Sequence, residues 1–300
     1  MFLALNSQAS TFPERPLTMI IGYAAGGSTD IQGRVLADVL AEQLGQPVRV
    51  NNLPGAGGAV AAAMLASSAE QGYVFQYGIS STISFSPLLA PTSYDLDSFT
   101  YVAGLSLDQS AYVTGGQSGF TDWPSLLQHL RDNPGQVYVT QTAEDRLLTR
   151  AIAKREGLQL RIVPTSGGAG MAPLVISGEV FFAYSGGTHT GYTESGQMRV
   201  LASLAEERLL GYPDAPTLRE LGYDLALHAV RIVTVPADTP AEQVSILFNA
   251  LAAVRDPRFI EVTETRIRQP IRFMPGGEVK AMLSQQVQAY RQLIEEVGAQ

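Results

Sequence analysis

The sequence predicts an α/β protein of two domains, each built on a parallel sheet that helices cover. In the first third of the chain, short apolar strands alternate with helices in the order strand, helix, strand, helix, strand. The same rhythm starts again after Gly115 and Gly116, and a chain of 300 residues is long enough for two domains. A long extended run at 225–235 then leads back towards the first domain.

Composition excludes several classes of function. The net charge is −8 and the 20 lysines and arginines are scattered, which argues against a nucleic-acid partner. There is no cysteine, so disulfide and thiolate chemistry are absent. The body of the chain has no apolar run of the about 18 residues that a membrane span needs. Residues 1–11 are interpreted as the end of a secretory signal, or simply as the start of the chain.

The first strand-to-helix corner is the main candidate binding site of the first domain. An apolar run at 17–21 is typical of a buried strand, and apolar residues repeat at helical spacing over 31–44. Between them, Gly26 and Gly27 allow a turn with positive φ or a close approach to a ligand. The following helix then presents free N–H groups, which attract a carboxylate or a phosphate. Taken alone, the same residues also describe an ordinary connecting loop.

Polar residues are expected to start this helix. Thr29 and Gln32 have the spacing of a capping box, in which each side chain bonds the backbone of the other residue. Asp30 in the first turn suits the positive end of the helix dipole.

Two further loops of the first domain are expected beside this corner. A strand at 48–50 leads through a glycine turn at 54–58 into a helix at 59–69, and a strand at 73–79 opens into polar residues at 80–82. In parallel sheets, ligands bind beyond the carboxyl ends of the strands, where these loops would lie. Neither a complete dinucleotide fingerprint nor a Gly-Lys-Ser/Thr loop is present, so no nucleotide cofactor is expected.

The second domain repeats the plan. The predicted order is a helix at 123–131 capped by Asp122, a strand at 137–140, a helix at 144–156, a strand at 160–163, a glycine turn at 164–170, a helix to 177 and a strand at 180–184. A strand at 198–204, a short helix at 213–221, the extended run at 225–235 and helices at 240–254 and 278–297 complete the chain, the last packing on the first domain.

Catalytic arrangements are missing from the sequence. The three histidines, His129, His189 and His228, are too far apart in sequence to form a metal pair on one helix turn. No Gly-x-Ser-x-Gly motif occurs. Glu144 and Asp145 open a helix, where acidic residues ordinarily serve its dipole. We therefore expect a binding protein without a cofactor or metal rather than an enzyme, with His189 as a candidate ligand contact because it follows a strand.

Segments along nearly the whole chain resemble the Bug-type receptors, the periplasmic substrate-binding proteins of tripartite tricarboxylate transporters. The resemblance is carried, in order, by the segments 15–21, 25–30, 44–48, 54–58, 71–73, 94–99, 123–130, 163–167, 213–217 and 235–240.

This resemblance implies a fold like that of the type II periplasmic binding proteins, with two α/β lobes, two crossing strands and a ligand cleft between the lobes. Lobe 1 is expected to comprise 12–108 and 234–300, and lobe 2 to comprise 109–233. The implied function is that of a monomeric periplasmic receptor, which closes at hinges near 107–113 and 231–235. Its ligand would be a small mono- or dicarboxylate, aromatic acids and amino acids included, and its partner the membrane permease of the transporter.

The resemblance also implies a set of ligand contacts. In lobe 1 these are Tyr23, Ala24, Ala25, Gly26, Gly27, Ser28, Asp30, Ser80, Ser81 and Thr82. In lobe 2 and the second crossing, the loops that would face them give as candidate contacts Gln141, Thr142, Ala143, Glu144, Thr165, Ser166, Gly167, Ser185, His189 and Arg231.

The second lobe departs from the family pattern. Residues 141–146 replace a loop that is usually Ser-Ser-Gly-x-Gly-Ser, Ser185 stands where an aspartate is common, and Arg231 where relatives tend to have an aromatic residue. One hypothesis is that Arg231 or Arg146 binds a ligand carboxylate, since arginine forms two parallel hydrogen bonds to one. The competing interpretation is an arginine held in an interlobe salt bridge.

The identity of the ligand and the biological role stay open at the level of the sequence. Glu144 facing the cleft would select a cationic group, as in an amino acid. The first lobe is expected to set the class of ligand and the second lobe the member of that class. A sensory receptor domain with the same ligands, or an enzyme on the same fold, are the competing functions.

Overall fold

The computed structural model describes residues 12–298, and the expectation for residues 1–11 lies outside them. The described chain forms two β-sheets, each with both parallel and antiparallel strands. Its strands are β1 (Leu17–Ile21), β2 (Val48–Asn52), β3 (Val74–Ile79), β4 (Phe99–Leu107), β5 (Ser110–Gly115), β6 (Gln136–Thr140), β7 (Leu160–Pro164), β8 (Phe182–Gly186), β9 (Met198–Ser203), β10 (Val230–Pro236) and β11 (Ile271–Pro275).

Helices cover both sheets. They are α1 (Ser28–Leu44), α2 (Ala59–Ala66), α3 (Ser81–Ser84), α4 (Ser86–Leu89), α5 (Trp123–Asp132), α6 (Ala143–Glu156), α7 (Gly168–Ile176), α8 (His189–Glu194), α9 (Ala241–Ala250), α10 (Pro257–Ile260) and α11 (Gly276–Val297). Shorter helical turns lie at Ala56–Gly58, Leu96–Ser98 and Leu251–Arg255, and a π-helical segment at Glu261–Arg266.

The expectation of parallel sheets is correct for only part of each lobe. In lobe 1 the strand order is β11-β4-β10-β3-β1-β2, where β1 runs parallel to β2 and β3 while β10 and β11 are antiparallel to their neighbours. In lobe 2 the order is β7-β6-β8-β5-β9, where β6 is parallel to β7 and β8 but β5 is antiparallel to β8 and β9. The strands that border the two crossings, β4, β5 and β10, make only antiparallel pairs, as do the edge strands β9 and β11.

The chain crosses between the lobes twice. Asp108 and Gln109 join β4 of lobe 1 to β5 of lobe 2, and the chain returns through 204–229 into β10. β10 pairs along its whole length with β4 and over four residues with β3. The sheet of lobe 1 therefore takes in residues 230–233, which the predicted boundary assigns to lobe 2.

Apolar burial fixes each lobe. Leu36, Val39 and Leu40 of α1 pack in one buried cluster with Ile21 and Tyr77 of the sheet, as the helical spacing of the apolar residues predicts. Lobe 2 has its own core around Tyr112, Trp123, Tyr138 and Phe182. Full burial of each such side chain contributes about 1.5–3 kcal/mol.

Three segments differ from the sequence prediction. Residues 213–221 form turns rather than a helix, with Thr217 in an isolated bridge to Ser203. The prediction was wrong there because Pro213 and Pro216 favour turns as well as helix starts. The edge strand β11 was not predicted at all, and the helix predicted at 59–69 ends at Ala66.

Candidate ligand-binding site

A small cavity between the lobes, the central cavity, lies at the carboxyl ends of β1, β3, β6 and β8. Its volume is about 10 Å³. It is lined by Tyr23, Gly27, Ser28, Thr29, Ile79, Gln141, Gly168, Tyr184, Gly186 and Arg231. This is the position that the strand-end rule for open α/β sheets predicts.

Two helix N-termini from opposite lobes line the central cavity. α1 follows Gly27 and α7 follows Gly167, and neither helix has a side-chain cap. The two ends are adjacent, because a Cβ on Gly27 would lie 3.7 Å from the backbone nitrogens of both Gly168 and Ala169. The positive ends of two helix dipoles thus meet at one place, which favours an anion.

The capping box predicted at Thr29 and Gln32 does not form. The Gln32 side chain turns into lobe 1, where its Nε2 donates to Thr263 Oγ1 at 2.7 Å and its Oε1 accepts from Tyr77 and Arg231. Without a side-chain cap, the first turn of α1 keeps its N–H groups for other partners. One of them, the N–H of Ser28, donates to Thr188 Oγ1 of lobe 2 at 3.1 Å.

Asp30 holds the first-lobe corner in shape and is not among the residues lining the cavity. Its carboxylate accepts from Gly26 N at 2.8 Å, Arg34 Nε at 3.0 Å and Asn52 Nδ2 at 2.9 Å. Burial raises the pKa of Asp30, but the hydrogen bonds from Arg34, Gly26 and Asn52 outweigh it and hold the pKa below its usual value. Gly26 has φ +84°, which the glycine permits at little cost.

The two lobes are in direct contact around the cavity. Ala24 N donates to Ser166 O at 2.9 Å, and Ser28 Oγ donates to Gly186 O at 2.9 Å. The absent side chain of Gly167 leaves room for Tyr23, whose Cδ1 would lie 3.3 Å from a Cβ there. The structure is therefore closed, with the glycine turns of both lobes touching.

Arg231 takes the role of an interlobe link. It is fully buried and pairs with Asp108 through Nη2 and Oδ1 at 2.9 Å. Its guanidinium also donates to Ser28 Oγ at 2.8 Å, Gly186 O at 2.9 Å and Gln32 Oε1 at 2.9 Å. Arg231 lines the cavity, but these partners engage nearly all of its donors. These bonds favour a buried salt bridge over a ligand contact for Arg231, but its partner Asp108 lies in the first crossing, and Arg231 reaches lobe 2 through its hydrogen bond to Gly186 O.

Asp108 is the residue around which the hinge is organised, and sequence reasoning missed it. Besides Arg231, it accepts from Tyr184 Oη at 3.0 Å and Gln269 Nε2 at 2.9 Å. Gly186 is required beside it, because a Cβ would lie 2.4 Å from Asp108 Oδ2.

The loop before α6 is organised by Asp145 much as the first corner is by Asp30. The Asp145 carboxylate accepts from Gln141 N at 3.0 Å, Thr142 N at 2.7 Å and Tyr138 Oη at 2.9 Å. Burial raises the pKa of Asp145, and the hydrogen bonds oppose the shift. Gln141 then reaches the cavity, with its Nε2 donating to Tyr184 O at 2.6 Å.

Glu144 is buried at the contact between the lobes, away from the central cavity. Tyr290 of α11 donates a hydrogen bond to its carboxyl group. Burial raises the pKa of Glu144 to about 7, against smaller lowering effects from Tyr290 and Ser81. The expectation that Glu144 faces the cleft to select a cationic group is therefore not supported.

Several predicted contacts instead support the loops. Ser80 Oγ accepts from Val230 N at 3.1 Å, and Thr82 Oγ1 donates to Gly57 O at 2.9 Å. His189 Nδ1 lies 2.9 Å from Ser185 Oγ inside lobe 2, where burial lowers the pKa of His189 to about 3. These residues do not line the central cavity, and neither do Ala24, Ala25, Gly26, Ser81, Thr142, Ala143, Thr165, Ser166 and Gly167.

Five lining residues were absent from the predicted contact set, namely Thr29, Ile79, Gly168, Tyr184 and Gly186. Ile79 and Tyr184 end predicted strands, Gly186 closely follows one, Gly168 lies in a predicted glycine turn, and Thr29 lies at a predicted helix start. The strand-end rule, applied to every strand rather than to the polar residues alone, is the signal that finds them.

A larger cavity of about 540 Å³ lies elsewhere, beside the hinge. Leu107, Gln109, Leu209 and Met282 are among the residues that line it. None of the predicted ligand contacts lines it, and neither do the residues of the two glycine corners. We therefore take the central cavity as the candidate site.

Among the residues that the structure describes, neither a metal-binding cluster nor a transmembrane helix is found. No three histidine, aspartate or glutamate side chains among them are grouped as a metal would require. No helix of the described residues combines the length and the apolar character of a transmembrane helix.

Comparison with known proteins identifies the family. The sequence profile of the "Tripartite tricarboxylate transporter family receptor" matches residues 33–299. The chain belongs to this family. Because the family is one of transporter receptors, the chain is a receptor and not an enzyme.

Three similar proteins illustrate the likeness. Protein BugT of Bordetella pertussis is 28% identical over 310 residues, which cover 99% of this chain and 94% of BugT. The periplasmic binding protein BugD superposes with a TM-score of 0.88 at 23% identity, over 96% of this chain and 99% of BugD. MatC from Rhodopseudomonas palustris with bound malate superposes with a TM-score of 0.86 at 21% identity, over 94% of this chain and 100% of MatC. The two structural similarities confirm the predicted two-lobed fold.

Proposed function

We propose that this receptor binds a small carboxylate between the two helix ends that line the central cavity, which widens from about 10 Å³ to admit it, and presents it, in the periplasm, to the membrane permease of a tripartite transporter. The observation that carries the proposal is the convergence of two uncapped helix N-termini, those of α1 and α7, on one interlobe cavity. Backbone N–H groups aimed at one point, together with two helix dipoles, are suited to a carboxylate.

The lobes contribute unequal parts to this site. Lobe 1 supplies Gly27, Ser28 and Thr29 of the α1 corner. Arg231, which is paired with Asp108, donates a hydrogen bond to Ser28 Oγ and so holds this corner in place. Lobe 2 supplies Gly168 at the start of α7, and Gln141. A ligand gains the contacts of both helices only when the lobes meet, so its binding favours the closed state.

The transport role extends the family assignment. A receptor that encloses its ligand between two lobes offers a changed surface to a permease on closing, by a hinge at the two crossings. MatC with bound malate supports a carboxylate as the ligand, since it shares the fold.

The test places a methyl group between the two helix ends. In Gly27→Ala, the new Cβ would meet the backbone nitrogens of Gly168 and Ala169 at ordinary contact distance, so folding and closure are expected to be retained. Gly277→Ala is the matched control, because Gly277 lies on α11 with nothing within 4 Å of a Cβ. Binding of succinate, adipate and hexanoate, with neutral adipamide as the reference, would be measured by isothermal titration calorimetry.

We expect the carboxylates to bind and adipamide to bind far more weakly. Gly27→Ala should lower carboxylate affinity about 10-fold or more, because the methyl group beside the N–H groups of Gly168 and Ala169 would displace the carboxylate from them, and a hydrogen bond to a charged group contributes about 1.5–3 kcal/mol. Gly277→Ala should bind as the wild type does. Equal binding of adipate and adipamide, or an unchanged affinity in Gly27→Ala, would contradict the proposal.

A further inference from the structure

A second interlobe cavity, the outer cavity, lies beside the central one and has a volume of about 230 Å³. Lobe 1 contributes the glycine turn at 56–59 and the segment 86–92, and lobe 2 contributes Thr140 to Ala143, Arg146 and Pro164. Gln141 lines both cavities. The two cavities therefore share a wall at Gln141.

Arg146 is the charged group of the outer cavity. Its Nε is buried and has no hydrogen-bond partner, and its guanidinium forms no ion pair, among the side chains that the structure describes. Arg231 differs in this respect, because nearly all of its N–H donors have hydrogen-bond partners. A buried donor without a partner is unfavourable, so Arg146 is suited to receive an acceptor from a ligand.

The rest of the outer cavity matches a short apolar chain with an anionic end. Its lobe 1 wall is largely apolar, formed by Ala56, Ala59, Leu89, Ala90 and Pro91. None of the residues lining it is acidic, so a ligand carboxylate meets no like charge there. Arginine forms two parallel hydrogen bonds to a carboxylate, which gives it preference over a neutral end group.

We propose that the outer cavity is a subsite for the second carboxylate of a linear dicarboxylate, held by Arg146 while the first carboxylate lies in the central cavity. This inference rests on the proposed function, because it takes the central cavity as the site of the first carboxylate. It assigns the ligand class as aliphatic dicarboxylates rather than monocarboxylates or amino acids. It also makes Arg146 the residue that selects among carboxylates.

The experiment compares acids of matched chain length. Hexanoate and adipate differ only in the second carboxylate, and succinate, pimelate and suberate vary the spacer. Calorimetry would be carried out on the wild type, on Arg146→Gln and on Arg150→Gln, an exposed arginine one turn further along α6. Circular dichroism melting would confirm that each variant is folded.

The wild type should bind its best dicarboxylate about 10–100-fold more tightly than the monocarboxylate of the same length, which is the range for a hydrogen bond between charged groups. Arg146→Gln should remove this preference while hexanoate affinity changes less than about 3-fold. Arg150→Gln should retain it. The ratio of adipate to hexanoate affinity in the wild type tests the inference even if Arg146→Gln fails to fold.

The remaining outcomes separate the two proposals. If hexanoate binds and no dicarboxylate binds more tightly, the outer subsite is refuted while the carboxylate receptor stands. The same conclusion follows if Arg146→Gln keeps the wild-type ratio. Tighter binding of glutamate than of glutarate would also refute it, in favour of an amino acid ligand. If none of the acids binds, both proposals fail.

Discussion

Arg231 and Asp108 form an ion pair at the hinge, with 2.9 Å between Nη2 and Oδ1 and with both side chains fully buried. Asp108 lies in the first crossing between the lobes, and Arg231 lies on β10, directly after the second crossing. Through Gly186 O, which accepts from Arg231, the pair also reaches lobe 2. One ion pair therefore ties both crossings together.

Removal of one partner should destabilise the whole protein. Arg231→Met leaves the Asp108 carboxylate buried without its main counter-charge, which costs about 3–5 kcal/mol. Lys280→Met is the matched control, since it breaks the exposed pair of Lys280 with Asp97, at 2.7 Å, and such pairs contribute about 0–1 kcal/mol. Urea denaturation of both variants and the wild type measures the difference. Similar free energies of unfolding for the two variants would contradict this role of Arg231.

The sequence predicts the frame of the site but not its internal bonds. The corner at Gly26 and its counterpart at Gly167 are local patterns of strand, glycine turn and helix, which periodicity and turn chemistry reveal. Arg231 could not be assigned in this way, because its partner Asp108 is 123 positions away in the chain. The local pattern was misleading at Gln32, whose tertiary partners Thr263 and Tyr77 replace the expected capping box.

Charge alone also failed to indicate which acidic residues face the ligand. Asp30 and Glu144 open helices in the same way, yet one holds the backbone of its own loop and the other meets Tyr290 of the opposite lobe. The direction of a side chain depends on packing, which a single sequence does not specify. Glycine positions were more informative, since Gly168 and Gly186 each lack the space for a side chain.

A side chain at Gly57 is predicted to hinder closure of the two lobes rather than folding of the chain. It has φ +64°, and a Cβ there would lie 3.2 Å from Gln141 O and 3.3 Å from Thr142 Cα in the opposite lobe. Gly57→Ala should therefore weaken carboxylate binding several-fold, because the lobes must separate by a few tenths of an ångström. Gly45→Ala is the control, since Gly45 has φ +66° with nothing within 4 Å of a Cβ.

Both alanine variants carry the same backbone strain, about 1–2 kcal/mol for a left-handed residue. Urea denaturation should show a similar loss of stability for both, whereas calorimetry with adipate should show weaker binding for Gly57→Ala alone. Equal affinities in the two variants would mean that the contact between Gly57 and the 141–142 loop does not limit closure.

Glu144 should make stability depend on pH near neutrality. Burial raises its pKa from 4.5 to about 7, and the nearby charges of Asp145 and Asp108 act in the same direction, against the hydrogen bonds from Tyr290 and Ser81. The folded protein then holds a proton that the unfolded chain has released. The stabilisation is complete below about pH 4.5 and is lost as the pH rises through about 7.

Glu144→Gln keeps the size of the side chain and removes the titration. Since one pKa unit corresponds to about 1.4 kcal/mol, the wild type should lose about 2–3 kcal/mol relative to Glu144→Gln between pH 5 and pH 8. Urea denaturation across this range gives the difference directly, and contributions from Asp145 and His189 cancel because both proteins contain them. Tyr290→Phe retains the buried carboxyl and should retain the pH dependence. If the wild-type and Glu144→Gln curves run parallel, the Glu144 carboxyl is already ionised in the closed protein, and its contact with Tyr290 is an ordinary charged hydrogen bond.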